Sequence, residues 1–155
     1  MQTDVAELVR KALIEELETL RDEVRQAAES LTDQQLWQKP IEPGNSVGNL
    51  ILHLTGNLNH FVGAQLGGSG YVRDREREFS DSERLPRQSL LANLDKAVAT
   101  FRKIVSGLNA DQLAATHPTE KFGSVLKTLV HLVAHFALHR GQVSYILRMI
   151  KSPAN

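Results

Sequence analysis

The sequence predicts an all-α fold, a four-helix bundle with a long crossover between its second and third helices. Three observations carry this. Four stretches repeat apolar residues at steps of three and four, and no stretch sustains the alternation of a strand. A segment of roughly 20 residues without periodicity separates the middle two stretches. So long a connection in a small domain needs a reason, and a crossover between two parallel neighbouring helices supplies one.

The first helix is expected over residues 4–30, where Val5, Leu8, Ala12, Leu13, Leu17, Leu20 and Val24 share a face and Glu and Arg occupy the other. The stretch "SLTDQQLWQKPIEPGNS" then breaks the pattern with two prolines and a glycine. Inside it, "TDQQLW" reads as a short capped turn, with Thr32 as N-cap and Gln35 at the capping-box position. The second helix starts at Asn45 or Ser46 and runs to about Leu66, where "GGSG" ends it. Residues 67–86 are charged and unpatterned. The third helix covers residues 87–108, with Leu90, Leu91, Leu94, Val98, Phe101, Ile104 and Val105 as its apolar stripe. "NADQLAATHPTEKFGS" leads to a fourth helix over residues 124–151. His117 in that connector precedes a proline and is expected to be exposed. There is no internal repeat or low-complexity tract, so residues 1–155 form a single domain.

Composition narrows the function. Lys plus Arg and Asp plus Glu both number 18, which gives no general attraction to nucleic acid or an anionic membrane. With no cysteine, thiolate nucleophiles and Cys-based metal sites are excluded, so any metal must be held by His, Asp or Glu. The N-terminus is acidic and amphipathic, unlike a signal peptide, and no apolar run approaches the roughly 20 residues that span a bilayer. These features predict a cytoplasmic protein that acts on a small molecule, not on nucleic acid or membrane.

The fourth helix carries "HLVAHFALHRGQ", with His131, His135 and His139 four residues apart. Such residues form a drifting stripe, expected to face the interior. His131 and His139 stand about 12 Å apart along the axis, too far to share an ion whose nitrogen ligands sit at about 2.0–2.1 Å. An i, i+4 pair can share one, either His131 with His135 or His135 with His139, and spacing leaves the two tied. His53, mid-helix on the second helix beside Leu50, Asn57 and Phe61, is the best third ligand. His60, about 10 Å further along, would only line the same pocket.

"PGNSVGNLILHLTGNLNHFVGAQLGGSGYVRDREREF" and "TLVHLVAHFALHRGQVSYILRMI" together resemble the DinB/YfiT-like superfamily of metal-dependent enzymes, and within it a subgroup with an "RDRxxEF" loop. The resemblance spans residues 37–151. It implies a four-helix bundle with a long crossover, a metal held by His53, His135 and His139, and homodimers. Known activities in the superfamily include thiol-S-transfer and a thiol-dependent isomerisation. The implied function is a metal-dependent enzyme of hydrolase or thiol-S-transferase type. The alternative is a stress-associated binding or scaffold protein with a structural or vestigial metal.

Zinc and nickel lead as the metal, with iron, manganese and copper also compatible with imidazole. Asn57 and Gln142 would orient the ligand imidazoles or touch substrate, and His131 would sit beside the ligands. Arg73 and Arg75, in "YVRDREREFSDSER", are placed to recognise a substrate carboxylate or phosphate. No inward Asp or Glu stands out as a general base. Leu126, Val130, Val133 and Ala137 make the back of the fourth helix apolar too, which predicts a homodimer through that face.

Overall fold

The computed structural model describes residues 4–152. Residues 1–3 and 153–155, the ends of the predicted domain, lie outside the described residues. Four long helices form the bundle: α1 (Val5–Glu29), α3 (Val47–Leu58), α5 (Arg87–Ser106) and α7 (Val125–Lys151). Three short helices, α2 (Asp33–Leu36), α4 (Arg75–Phe79) and α6 (Ala110–Ala114), lie in the connections. Among the described residues there is no strand, only one isolated bridge between Thr116 and Ser124. No helix there is long and apolar enough to cross a membrane.

Sequence signals start the helices where capping chemistry allows. Thr32, Ser46 and Asn109 each close a capping box with the Gln or Asn three residues on, and Ser124 caps α7 through the Lys127 amide. The core is the sum of the inward stripes, with Leu17, Val24, Leu54, Leu90, Leu94, Phe101, Leu129 and Phe136 all essentially inaccessible. Val5, Leu8 and Ala12, expected on the buried stripe of α1, are exposed. At about 100° per residue they stand roughly 120–180° around the helix from Leu17, and Ala6 and Ile14 take the inward positions instead.

Helices α1 and α3 each pack against both α5 and α7. Trp37 sets the relation of α3 to α5 at one end. Its ring lies on Gly48, where a Cβ would meet it at 2.6 Å, and its Nε1 donates to the Leu85 carbonyl at 3.3 Å. At the other end, a Cβ on Gly67 would lie 2.4 Å from Ile104. The starts of α3 and α5 are therefore together and their ends are together, so the two helices run parallel. Residues 67–86 are the crossover between them. That crossover is not devoid of structure, because Asp74 caps α4 by accepting from the Arg77 amide.

Two local expectations are corrected. The second helix does not continue as α to Leu66, since a π-helical segment, Asn59–Ala64, follows α3. His117 is not exposed but has 0% accessibility. Its Nε2 donates to the Phe61 carbonyl at 2.9 Å, and its Nδ1 accepts from the Thr119 amide at 3.1 Å. The wider π turn presents a carbonyl that a loop imidazole can satisfy, and the loop folds inward to reach it.

Candidate metal centre

Helices α3 and α7 bring His53, His135 and His139 to one place near mid-bundle. His53 is 5% exposed, and the other two are half-buried. Nε2 of His135 lies 3.1 Å from Nε2 of His53 and 3.0 Å from Nε2 of His139. One nitrogen from each residue lies within 4.8 Å of the other two. Three nitrogens at about 2.0–2.1 Å from a tetrahedral ion would stand ~3.3 Å apart. The rings do not stack; His139 meets His53 at 83° and His135 at 81°, as edges aimed at a common point would.

The outer nitrogens are partnered. His139 Nδ1 donates to Gln142 Oε1 at 2.7 Å, and His53 Nδ1 donates to Glu78 Oε1 at 3.0 Å. Both bonds leave the Nε2 lone pair free for a metal. The Asn57 carboxamide lies 3.0 Å from His135 Nδ1, with its nitrogen facing the ring and its oxygen accepting from Arg73 at 3.3 Å. An Nε2-bound ion on His135 requires an acceptor at Nδ1, which that amide supplies only by a half-turn that exchanges its long bond to Arg73 for one from the imidazole. The donor set therefore fits a divalent ion that prefers imidazole.

Electrostatics keep these groups ready. Burial, reinforced by His139, His53, His131 and Arg73, pushes the His135 pKa down from 6.5 to about 3. Burial lowers His139 as well, against the opposing bond to Gln142. Both imidazoles are neutral at pH 7 and present lone pairs, not protons. Burial raises the Glu78 pKa, but hydrogen bonds from His53 and Arg73 and the Arg73 charge outweigh it, so Glu78 stays below the usual range as a carboxylate.

Glu78 is the residue that sequence reasoning missed. It is 6% exposed and belongs to α4, in the crossover that carries no periodicity to mark an inward position. The readable signal was Gly56, where a Cβ would come within 2.0 Å of Glu78 Oε2. Asn57 reaches His135 on the opposite helix and not His53 on its own.

Arg73 faces inward, with Nε on Glu78 Oε2 at 2.9 Å and Nη2 on Oε1 at 2.8 Å. Arg75 is solvent-exposed and lies over the Phe79 ring, which in turn covers His53 at 5.0 Å between centroids. His131 is exposed and stacks on Phe122 at 4.2 Å, which corrects the inward orientation expected for it. Eight residues of drift turn it about 80° away from His139. His60 is half-buried against Phe61 and makes no hydrogen bond to the three histidines.

The cluster adjoins a groove of about 550 Å³ whose walls include Gln142, Leu50, Leu138, Tyr145, Met149 and Ile41. Leu126, Val133 and Ala137 of the predicted dimer face pack partly on the chain's own core, while Val130 stays 50% exposed.

A family model described as mycothiol-S-transferase matches residues 12–150. No curated protein matches the chain in sequence. Among solved structures, a conserved protein from Enterococcus faecalis superposes with a TM-score of 0.76 at 16% identity, covering 96% of this chain and 98% of its own. YfiT from Bacillus subtilis, described as "a probable metal-dependent hydrolase with an unusual four-helix bundle topology", superposes with a TM-score of 0.74 at 21% identity. That match covers 96% of this chain and 91% of YfiT. At these identities the two structures establish the shared fold.

Proposed function

The chain belongs to the mycothiol-S-transferase family, and on that premise we propose a metal-dependent transferase that joins a low-molecular-weight thiol to a small electrophilic substrate. The observation that carries this is the convergence of three Nε2 atoms from two helices, each imidazole braced on its far side. His53, His135 and His139 would hold the ion, zinc or nickel first. Three neutral ligands leave at least one position open, the pattern of a catalytic site and not of a closed structural one. A divalent ion bound there lowers the pKa of a thiol or water brought against it toward neutrality.

The chain's own residues supply the rest. Gln142 and Glu78 hold two imidazoles in the right tautomer, and Phe79 shields His53 from solvent. The adjoining groove, with Leu138 60% and Tyr145 66% exposed at its rim, suits the apolar body of an electrophile. Arg73 serves Glu78 in this reading, which leaves no free guanidinium inside the site for a substrate anion.

A hydrolase reading has one observation in its favour, the description of YfiT. The same experiment separates the two. Metal-stripped protein is reloaded with zinc or nickel and given a thiol with an aryl or alkyl electrophile, then an ester without thiol. Transferase action predicts thioether formation that needs the metal and is abolished by a chelator; ester cleavage without thiol consumption would support the hydrolase instead. A homodimer formed through α7 is part of the proposal, supported by Val130, an apolar side chain left 50% exposed outside the groove. Sedimentation at micromolar concentration should give a dimer mass, and a monomer would refute it.

A further inference from the structure

We infer that Glu78, clamped by Arg73, is the positioning residue for His53, so that the crossover between α3 and α5 sets the affinity of the metal centre. This rests on the three-histidine reading above and adds a residue from outside the two ligand helices.

Two groups meet His53 Nδ1: Glu78 Oε1 at 3.0 Å and Arg73 Nη2 at 3.1 Å. The guanidinium directs its hydrogen to Glu78 Oε1 at the shorter 2.8 Å, and a carboxylate only accepts, so the Glu78 contact places the proton of His53 on Nδ1. Nε2 then carries the lone pair and faces the other two histidines. Carboxylate–histidine pairs of this kind raise ligand basicity and fix the ring's direction.

Arg73 makes the carboxylate's position a property of the fold. Its two bonds, one to each Glu78 oxygen, form a bidentate fork that compensates a charge otherwise costly to bury. So held, the carboxylate cannot swing to the Nε2 side and compete as a ligand. The backbone is pinned as well, because Asn49 Nδ2 donates to the Glu78 carbonyl and to Asp81 Oδ1, both at 3.2 Å. Asp81 is also paired with Lys39 at 2.9 Å. Space for the carboxylate exists only because residue 56 is glycine. Asn49, His53, Gly56 and Asn57 thus form one continuous face of α3 on which residues 73–81 dock.

A merely structural pair would pin the crossover and leave the metal untouched, and two variants separate the roles. Glu78→Gln keeps the shape but loses the charge and the fork, and with its one oxygen taken by Arg73 it turns a donating NH2 toward His53 Nδ1. Gly56→Ala changes no charged group and favours the helix, yet its methyl displaces the carboxylate. Zinc affinity is measured by competition with a chromophoric chelator, and the His53 tautomer by nitrogen–proton correlation of the ring in zinc-free protein. Both variants should bind zinc about 10- to 100-fold more weakly, with His53 shifting from the Nδ1–H to the Nε2–H form. A loss below about fivefold in both, or an unchanged tautomer in both, overturns the role of Glu78. If Glu78→Gln does not fold, Gly56→Ala decides alone. A wild-type chain that takes up no zinc refutes the metal reading instead, while the tautomer still tests the Glu78 contact.

Discussion

His135→Ala is expected to abolish stoichiometric metal binding. His135 is the central member of the cluster, since its Nε2 is within 3.1 Å of both other Nε2 atoms. Without it, His53 on α3 and His139 on α7 offer two ligands from separate helices, with no i, i+4 pair to anchor an ion. Three-ligand zinc binding on the order of 12 kcal/mol loses roughly a third, a thousandfold or so in affinity. Elemental analysis of purified wild type should give about one ion per chain and near zero for the variant. His131→Ala, whose imidazole stacks on Phe122 outside the cluster, should keep wild-type content. A His135→Ala protein with full metal content would sink the ligand assignment.

The pH dependence has a defined sign. A lowered histidine pKa favours the neutral, ligating form above it, so His135, pushed down to about 3, does not bind competing protons in the neutral range. His139 is shifted the same way. Metal content of the wild type should therefore stay flat from pH 8 to 6.5 and fall only on further acidification. A decline beginning above pH 7 would mean that the two imidazoles are not shielded as the structure places them.

The architecture was legible because periodicity and caps are local properties. The stripes of α1, α5 and α7, the capping box at Ser46 and the length of the crossover each follow from a short window of sequence. The convergence of His53 with His135 and His139 was reachable through helical spacing together with the family resemblance. What stayed hidden depends on packing between distant segments. Glu78 reads as one more acid in a charged loop until Gly56 is seen to make room for it. His117 turns inward for a carbonyl that only the π segment presents. The outward turn of His131 has a different reason: a stripe with a four-residue step drifts around the helix, and the eight residues that exclude it from the ion also carry it toward solvent, although its ring still lies 6.2 Å from that of His135.

The largest effect on stability is expected at Asn49, which has 0% accessibility and four side-chain contacts. Its Oδ1 accepts from the Ser46 amide at 3.0 Å and the Ser46 hydroxyl at 2.8 Å. Its Nδ2 donates to the Glu78 carbonyl and to Asp81. Asn49→Leu matches the length and removes every bond. The loss of the capping box is worth ~1 kcal/mol. Stranding the buried Ser46 amide and the Glu78 carbonyl adds ~1–3 kcal/mol each. A total on the order of 3–7 kcal/mol is a large fraction of the ~5–15 kcal/mol of a typical domain. Urea unfolding should show a lowered midpoint at an unchanged slope, and a change under ~1 kcal/mol would contradict the role assigned to Asn49. Ser46→Ala, which spares the bonds to the crossover, should cost only ~1–2 kcal/mol. The excess in Asn49→Leu then measures how strongly residues 73–81 are tied to α3. Because Glu78 sits in that segment, the same variant should also release metal more readily than Ser46→Ala does. On this argument the asparagine of "NSVGN" and the "RDREREF" segment belong together because one docks the other, and the docking is what aims His53.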